Sequence, residues 1–267
     1  MRIVSVANEA GSAGKTSAVV NLGAIAAEKG LEVLVMDLDA QANATTWLGV
    51  TEPEKTISDI LRLEATIPDA LVATVVDNLW LIPSSADMTG TVLELGRVMG
   101  PEQRLRVALE KIPSPGPDLV ILDCPGVMNL VTLSALVASH KVITVAQPTL
   151  KELQGVSRLE STVRDVSNLY RPDLTINAVI PSIVPQVRQP DGKDGPATSG
   201  GGAVYAQALA MLQAEWGELC TPPVRRSVRV PEAYAQQTPL NLHAPRDPVT
   251  TDYRNIYDFL QKLEVMP

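Results

Sequence analysis

A chain of 267 residues with 45% hydrophobic content and a formal net charge of −8 can bury one large core, and its acidic balance excludes wholesale basic wrapping of nucleic acid, so any DNA contact must be local. Its longest apolar stretches, such as Leu119 to Leu122 and Val142 to Ala146, fall far short of the roughly 20 residues needed to cross a bilayer. Aromatics at 3% argue against stacking platforms for single strands, and the wide separation of the two cysteines, Cys124 and Cys220, offers neither a disulfide framework nor a zinc spacing.

No linker-like shift in composition divides the chain, so residues 1–267 are expected to form one domain. It enters a strand-like run, Ile3 to Ala7, with no basic region or small-residue cleavage site before it, and a cytoplasmic location is expected. Glu9-Ala10-Gly11-Ser12-Ala13-Gly14-Lys15-Thr16 follows and leads into a predicted helix, Thr16 to Lys29, with Gly30 as its stop signal. GKT at a strand-to-helix turn suits a triphosphate. The small residues Gly11, Ser12, Ala13 and Gly14 let backbone N–H groups approach phosphates, and the helix start, including Ser17, adds partial positive charge. Lys15 can reach the β and γ phosphates and Thr16 can ligate Mg²⁺. The full Walker A pattern wants glycine where this chain has Glu9.

The next predicted strand, Val33 to Asp37, ends in Asp37-Leu38-Asp39-Ala40-Gln41. Leu79 to Pro83 and a helix from Gln103 to Lys111 precede the strand Leu119 to Asp123, which runs into Cys124-Pro125-Gly126. Val142 to Ala146, a helix Lys151 to Leu169 and the strand Ile176 to Pro181 come after. Gln189 to Ala203 is rich in Gly, Pro and small polar residues and is expected to be a mobile surface loop. The proline-dense stretch Thr221 to Pro248 reads as loops and short strands capping the sheet. The last helix, Val249 to Leu263, has Ile256, Phe259, Leu260 and Leu263 at core spacing and lacks the basic face that membrane binding would need. His140 and His243 have no metal spacing around them and read as structural, as do the two thiols.

Short β-branched runs alternating with helices predict an α/β fold of the P-loop NTPase kind: a central, mostly parallel sheet with helices on both faces. Asp37, Asp39 and Asp123 then gather at the C-terminal edge of the sheet, where ligands bind. Mg²⁺ keeps several waters, so Thr16 directly with Asp37 or Asp123 through water is a sensible coordination, and Asp39 is free for an attacking water. The bland alternative is a Gly/Ser turn with strand-end aspartates acting as helix caps.

Together, AGSAGKT, DLDAQ and LVILDCPG resemble the ParA/MinD family of deviant Walker ATPases, whose loop reads KGGxGK[ST] and whose second motif reads DxDPQ. A fourth match is Val224-Arg225-Arg226-Ser227-Val228-Arg229-Val230-Pro231-Glu232-Ala233, similar to the IPRNVRLAEA segment of ParA proteins. The resemblance implies an ATP-sandwich homodimer that binds nonspecific DNA of the nucleoid and hydrolyses ATP when a cargo-bound partner stimulates it. It implies Asp39 for hydrolysis, Lys15 for phosphate, Thr16 for magnesium, and Arg226 and Arg229 near DNA. Arg225 and Arg188 are candidates for the same basic patch, with a solvated, locally paired strand as the alternative. Pro181 and Pro231 are candidate adenine contacts by position, and Asp123 is a candidate at the nucleotide as well as at the metal.

Ala10 departs from the family, standing where its signature lysine crosses the dimer to the partner's phosphates. Lys151, after the strand Val142 to Gln147, is the candidate replacement; a solvated lysine in the first turn of a helix is the alternative. The carboxysome-positioning McdA branch is similar in lacking the N-terminal lysine and using one from its C-terminal half, which would imply an McdB-type adaptor as partner and no membrane. Plasmid or chromosome partition and a nucleotide-gated scaffold that does not hydrolyse ATP are the competing readings. A metabolic P-loop enzyme is a weaker one, since Cys124 and Cys220 do not resemble a pair that bridges an iron–sulfur cluster.

Overall fold

The apolar runs of the sequence become strands in the computed structural model, which describes residues 1–9, 13–188, 194–196 and 202–267. In chain order the first half contains β1 (Arg2–Ala7), α1 (Lys15–Glu28), β2 (Val33–Asp37), α2 (Asn43–Trp47), α3 (Ile57–Arg62), β3 (Val72–Ala73), β4 (Leu79–Ile82), α4 (Met88–Leu95), α5 (Arg104–Glu110) and β5 (Leu119–Asp123). The second half contains α6 (Leu130–Ala138), β6 (Lys141–Ala146), α7 (Leu150–Leu169), β7 (Ile176–Pro181), β8 (Gln186–Arg188), β9 (Asp194–Pro196), α8 (Gly202–Trp216), α9 (Arg229–Ala235), α10 (Leu240–His243) and α11 (Pro248–Lys262).

Seven strands form one sheet in the order β3-β4-β2-β5-β1-β6-β7, parallel throughout except for the two-residue edge strand β3. Burial on both faces explains why β2 and β5 are apolar without alternation: every residue of each is buried. One face is covered by α1 and α11, with Leu22, Ile25, Tyr253, Ile256 and Leu260 packed on Val4, Val35 and Ile121. The other carries α3 to α7, whose Ile60, Leu105, Val131 and Leu159 cover Leu34, Val120 and Leu122. Helix α1 is buried nearly from end to end, so it lacks a polar face. Gly23 lets it lie close to the sheet: a Cβ there would come within 3.3 Å of Leu79 and Val35 side chains.

All six expected strands and the four expected helices form, with ends shifted by at most one residue. Two regions differ. Thr221 to Pro248 supplies no strands to the sheet: Cys220 just before it bridges to Val179, and within it Arg225 makes an isolated bridge to Val184, followed by α9 and α10. Its backbone groups find partners in short helices instead, because α10 can bury Leu240 against α1 and α9 can bury Ala233 in the same core beside α2 and α10. Within the expected loop Gln189 to Ala203, Asp194–Pro196 pair antiparallel with Gln186–Arg188 and α8 begins at Gly202; the remainder of that loop lies outside the described residues. Among the described residues no helix is long and apolar enough to cross a membrane. Cys124 is buried and Cys220 half-buried, and both are free thiols.

Candidate active site

Because β1 lies between β5 and β6, the turn after Ala7 emerges at the middle of the sheet's C-terminal edge. Ala10, Gly11 and Ser12 lie outside the described residues; from Ala13 onward the turn closes on Gly14 at φ +92° and opens directly into α1. That backbone suits glycine twice over, since a Cβ would also meet the Ser182 hydroxyl at 3.2 Å. No side chain caps α1, so the first-turn N–H groups keep the donors that a phosphate would use.

Lys15 is buried, and its ammonium donates to the carbonyl of Asn8 at 3.4 Å. Burial pulls its pKa down, and the nearby charge of Asp123 is the first force holding it up. Beneath it, Asp37 and Asp123 stand directly opposite each other in the register of β2 and β5. Asp37 is fully engaged: one oxygen accepts from the Asp39 N–H (3.1 Å), the other from the Thr45 N–H (2.9 Å) and hydroxyl (2.8 Å). Burial nevertheless pushes it up to about 6. Asp123 is as deeply buried, and neither of its oxygens has a hydrogen-bond partner among the described residues. Burial and then the neighbouring Asp37 drive its pKa well above the carboxylate range, with Thr16 and Lys15 reversing this only in part.

Such a pair is unfavourable in isolation and is relieved by a cation. Among the described residues no group of three or more His, Cys, Asp or Glu could hold a metal by itself. A hard divalent ion that takes one or two protein oxygens and completes its shell with water and phosphate fits the orphaned Asp123 and the Thr16 hydroxyl.

Asp39, half-buried, accepts from the Gln41 N–H at 3.0 Å and lines a cavity of about 420 Å³ with Lys15, Thr16, Gly126 and Tyr234. A second cavity of about 250 Å³ also touches Gly14 and Ser17 and extends between Ser182, Arg225, Pro231 and Tyr253. Ser17 is bonded to the Tyr253 hydroxyl at 2.7 Å, which ties the phosphate turn to α11. Of the two prolines expected near a base, Pro231 lines this cavity; Pro181 is buried in β7, and the wall there is the next residues, Ser182 and Ile183.

Lys151 is exposed in the first turn of α7, which Thr149 caps through the Glu152 N–H. Its neighbour Glu152 is buried and accepts from the Asn8 amide at 3.3 Å, and Arg158 of the same helix reaches Glu9 at 2.9 Å. The start of α7 is thus fastened to the phosphate turn at two points.

The expected basic patch is divided. Arg225 is turned inward, bidentate on Asp252 at 2.7 and 2.8 Å, because Asp252 on α11 would otherwise be a buried unpaired charge. Arg229 is exposed but paired with Glu232 (2.7 Å) and Asp247 (3.6 Å). Arg226 is exposed with no ion pair among the described residues. Arg188 has its backbone in β8, and its side chain lies outside the described residues, as do the candidate contacts Gly11 and Ser12.

Sequence reasoning missed Thr45, Ser182, Tyr253, Asn8 and Glu152. Each acts through tertiary contact with residues far along the chain or on another element, and no motif marks them.

A phosphate turn opening an uncapped helix, with two strand-end carboxylates beside its lysine, defines a P-loop NTPase site. A family model described as an AAA domain matches residues 1–176. The chain is 34% identical to the sporulation initiation inhibitor protein Soj of Bacillus subtilis over 247 residues, covering 92% of each. It is 37% identical to the chromosome partitioning protein ParA of Caulobacter vibrioides over 183 residues, 67% of this chain and 68% of that one. The chain therefore belongs to this AAA-domain family, in its ParA/MinD group of P-loop ATPases.

Solved structures agree on the fold. Cobyrinic acid a,c-diamide synthase from Mycobacterium smegmatis, with bound ATP analog and magnesium, superimposes with TM-score 0.80 at 27% identity, covering 98% of this chain and 95% of that one. The ATP complex of Cyanothece McdA gives TM-score 0.84 at 21% identity, covering 100% and 97%, a likeness of fold alone.

Proposed function

We propose that this chain is a Mg²⁺-dependent ATPase that positions a cargo: two copies close on ATP, hold nonspecific DNA of the nucleoid, and release it when a cargo-bound adaptor stimulates hydrolysis. The observation that carries the nucleotide reading is Asp123, whose two oxygens are buried directly beside Asp37, Lys15 and Thr16 and, among the described residues, have no partner in full hydrogen-bond geometry, the Thr16 hydroxyl being the group that approaches. The ATP analog and magnesium of the M. smegmatis enzyme support the same ligand pair here.

In this reading Lys15, the α1 N-terminus and the turn residues Gly11 to Gly14 hold the phosphates, and Ser17 borders them. Thr16 would ligate the metal directly and Asp123 through water, since the oxygens of Asp37 are already taken by Asp39 and Thr45. Magnesium, when bound, supplies charge neutralisation between phosphate groups. Asp39 orients the attacking water, and the cavity between Ser182, Pro231 and Tyr253 takes the base. Little covalent work falls to the protein, so positioning and charge carry the rate.

Lys151 supplies in trans the cation that Ala10 lacks. Its exposure beside a helix turn fastened to Asn8 supports this reading and the choice of McdA-like carboxysome distribution with an McdB-type adaptor. Plasmid or chromosome partition is the second reading, favoured by the identity to Soj and ParA. The local track for DNA in this reading is Arg226, with Arg229 and Arg188 as further candidates.

Steady-state phosphate release, measured with and without nonspecific duplex DNA and purified McdB-type or ParB-type adaptor, tests the proposal. Turnover that needs Mg²⁺, rises with DNA and one adaptor, and vanishes in Lys15→Ala and Asp39→Ala is the expected result. ATP binding without turnover under any of these conditions would make the chain a nucleotide-gated scaffold and sink the proposal.

A further inference from the structure

At the end of the sheet opposite the nucleotide site, Glu32 leads into β2 and Pro117 lies just before β5. A groove crosses this end. One lobe of about 460 Å³ is floored by Leu34 and Ile67 and walled by Leu71, Trp80 and Ile112. A second lobe of about 360 Å³ continues from it, the two sharing Ile67 and Pro68. Two of the walls are large apolar side chains left in solvent, Trp80 at 39% and Leu71 at 40% exposure.

The charged side chains along the two lobes are Glu32, Glu64 and Asp69 against Lys111 alone, among the described residues. Glu32 accepts from the Trp80 indole N–H at 3.3 Å, which places a carboxylate at the edge of an exposed aromatic ring. Hydrogen bonds from the Thr66 hydroxyl and N–H hold the Asp69 carboxyl below its usual range, so it stays ionised. Pro113, Pro115 and Pro117 border the first lobe, and their fixed φ lowers the cost of ordering this rim around an occupant.

Two joined apolar lobes with an acidic border match a segment longer than a small metabolite, carrying aliphatic side chains and lysine or arginine. A cation over the face of the Trp80 ring gains from the ring, and one paired with Glu32 gains from the carboxylate. We propose that this groove docks an extended basic and aliphatic segment of a partner protein, with aliphatic side chains against Leu34, Leu71 and Trp80 and cations against Glu32, Glu64 and Asp69. β2 is five residues long, roughly 17 Å at the strand rise, so such a partner leaves the Asp37 end of the sheet open.

The test is fluorescence anisotropy of a labelled 12-residue peptide of alternating leucine and lysine pairs with the full chain, beside the same peptide with glutamate for lysine. Three variants are compared: Glu32→Lys with Glu64→Lys, Leu71→Ser, and Glu218→Lys as a charge control near the β7 edge, each checked for an unchanged thermal melt. The expected result is saturable binding of the lysine peptide alone, weakened about tenfold by the paired charge reversal, weakened also by Leu71→Ser, and unaltered by Glu218→Lys. Equal weakening by Glu218→Lys would mean that net charge alone attracts the peptide, and no binding, or binding indifferent to Glu32, Glu64 and Leu71, would overturn the assignment. Light scattering that shows self-association abolished by Leu71→Ser would assign the groove to a second copy and overturn it too.

Discussion

Asp37 and Asp123 face each other across neighbouring strands, and burying two carboxylates together is unfavourable until a cation joins them. Asp37 is pushed up to about 6 from 3.8, so the folded chain holds its proton longer than the unfolded chain does. Stability therefore falls as pH rises through that window, by roughly 3 kcal/mol if Asp37 acted alone. Urea midpoints in EDTA should drop between about pH 4 and pH 6 on this argument, and Asp123→Asn should flatten the drop while abolishing stabilisation by ATP and Mg²⁺. A midpoint that climbs over the same interval in both proteins contradicts the reading of the pair. At this scale the sequence was legible where chemistry is local: Lys15, Thr16, Asp37, Asp39 and Asp123 stand in motifs. Thr45, which satisfies Asp37, and Ser182, which presses on Gly14 and donates to the Ala13 carbonyl, are chosen by packing between elements and leave no local trace.

Helix α7 is the element on which the departure from the family's loop turns. Glu152 and Arg158 tie it to Asn8 and Glu9, so a movement of the phosphate turn is carried to the exposed Lys151 beside them. Replacing Glu152 by alanine should leave the fold intact and raise the ATP concentration needed for half-maximal turnover, a shift read directly from a nucleotide titration. The segment before α9 divides its arginines in a way that two substitutions can separate. Arg225→Ala strips Asp252 of its partner and should cost about 2 to 3 kcal/mol in a denaturant melt. Arg226→Ala should leave the melt unchanged, weaken duplex DNA binding and reduce the slope of log affinity against log salt by about 1. The sequence could not show this split, because three arginines within five residues look alike until Asp252 on a distant helix is seen to claim one. Three of the four longest helices were legible for the opposite reason, while α8, at 15 residues, was not read from the sequence. α1, α7 and α11 have 14, 20 and 15 residues and so repeat their pattern over several turns. α2, α3, α9 and α10 have seven residues or fewer, which leaves little room for a period, although α5 at seven residues was read. The capping box of Thr56 and Asp59 was the one written signal among them.

The whole molecule separates its jobs by end. The C-terminal edge of the sheet gathers the phosphate turn, the carboxylate pair and α7, while the opposite edge carries the apolar, acid-rimmed groove under Trp80. On the two proposals, dividing the surface this way would let a nucleotide-driven closure and a docked partner act on one sheet without competing for space. On the proposed function, a chain with a net charge of −8 would meet DNA through a small cationic patch that two copies double, which makes closure on ATP the step on which DNA binding would depend. Size-exclusion chromatography with light scattering, on Asp39→Ala with ATP and Mg²⁺ and on the same protein carrying Lys151→Ala, tests that closure most directly. The account predicts a dimer for Asp39→Ala, a monomer when Lys151 is also removed, and monomers for both without nucleotide. Dimers in equal amount with and without Lys151, or monomers throughout, would contradict it.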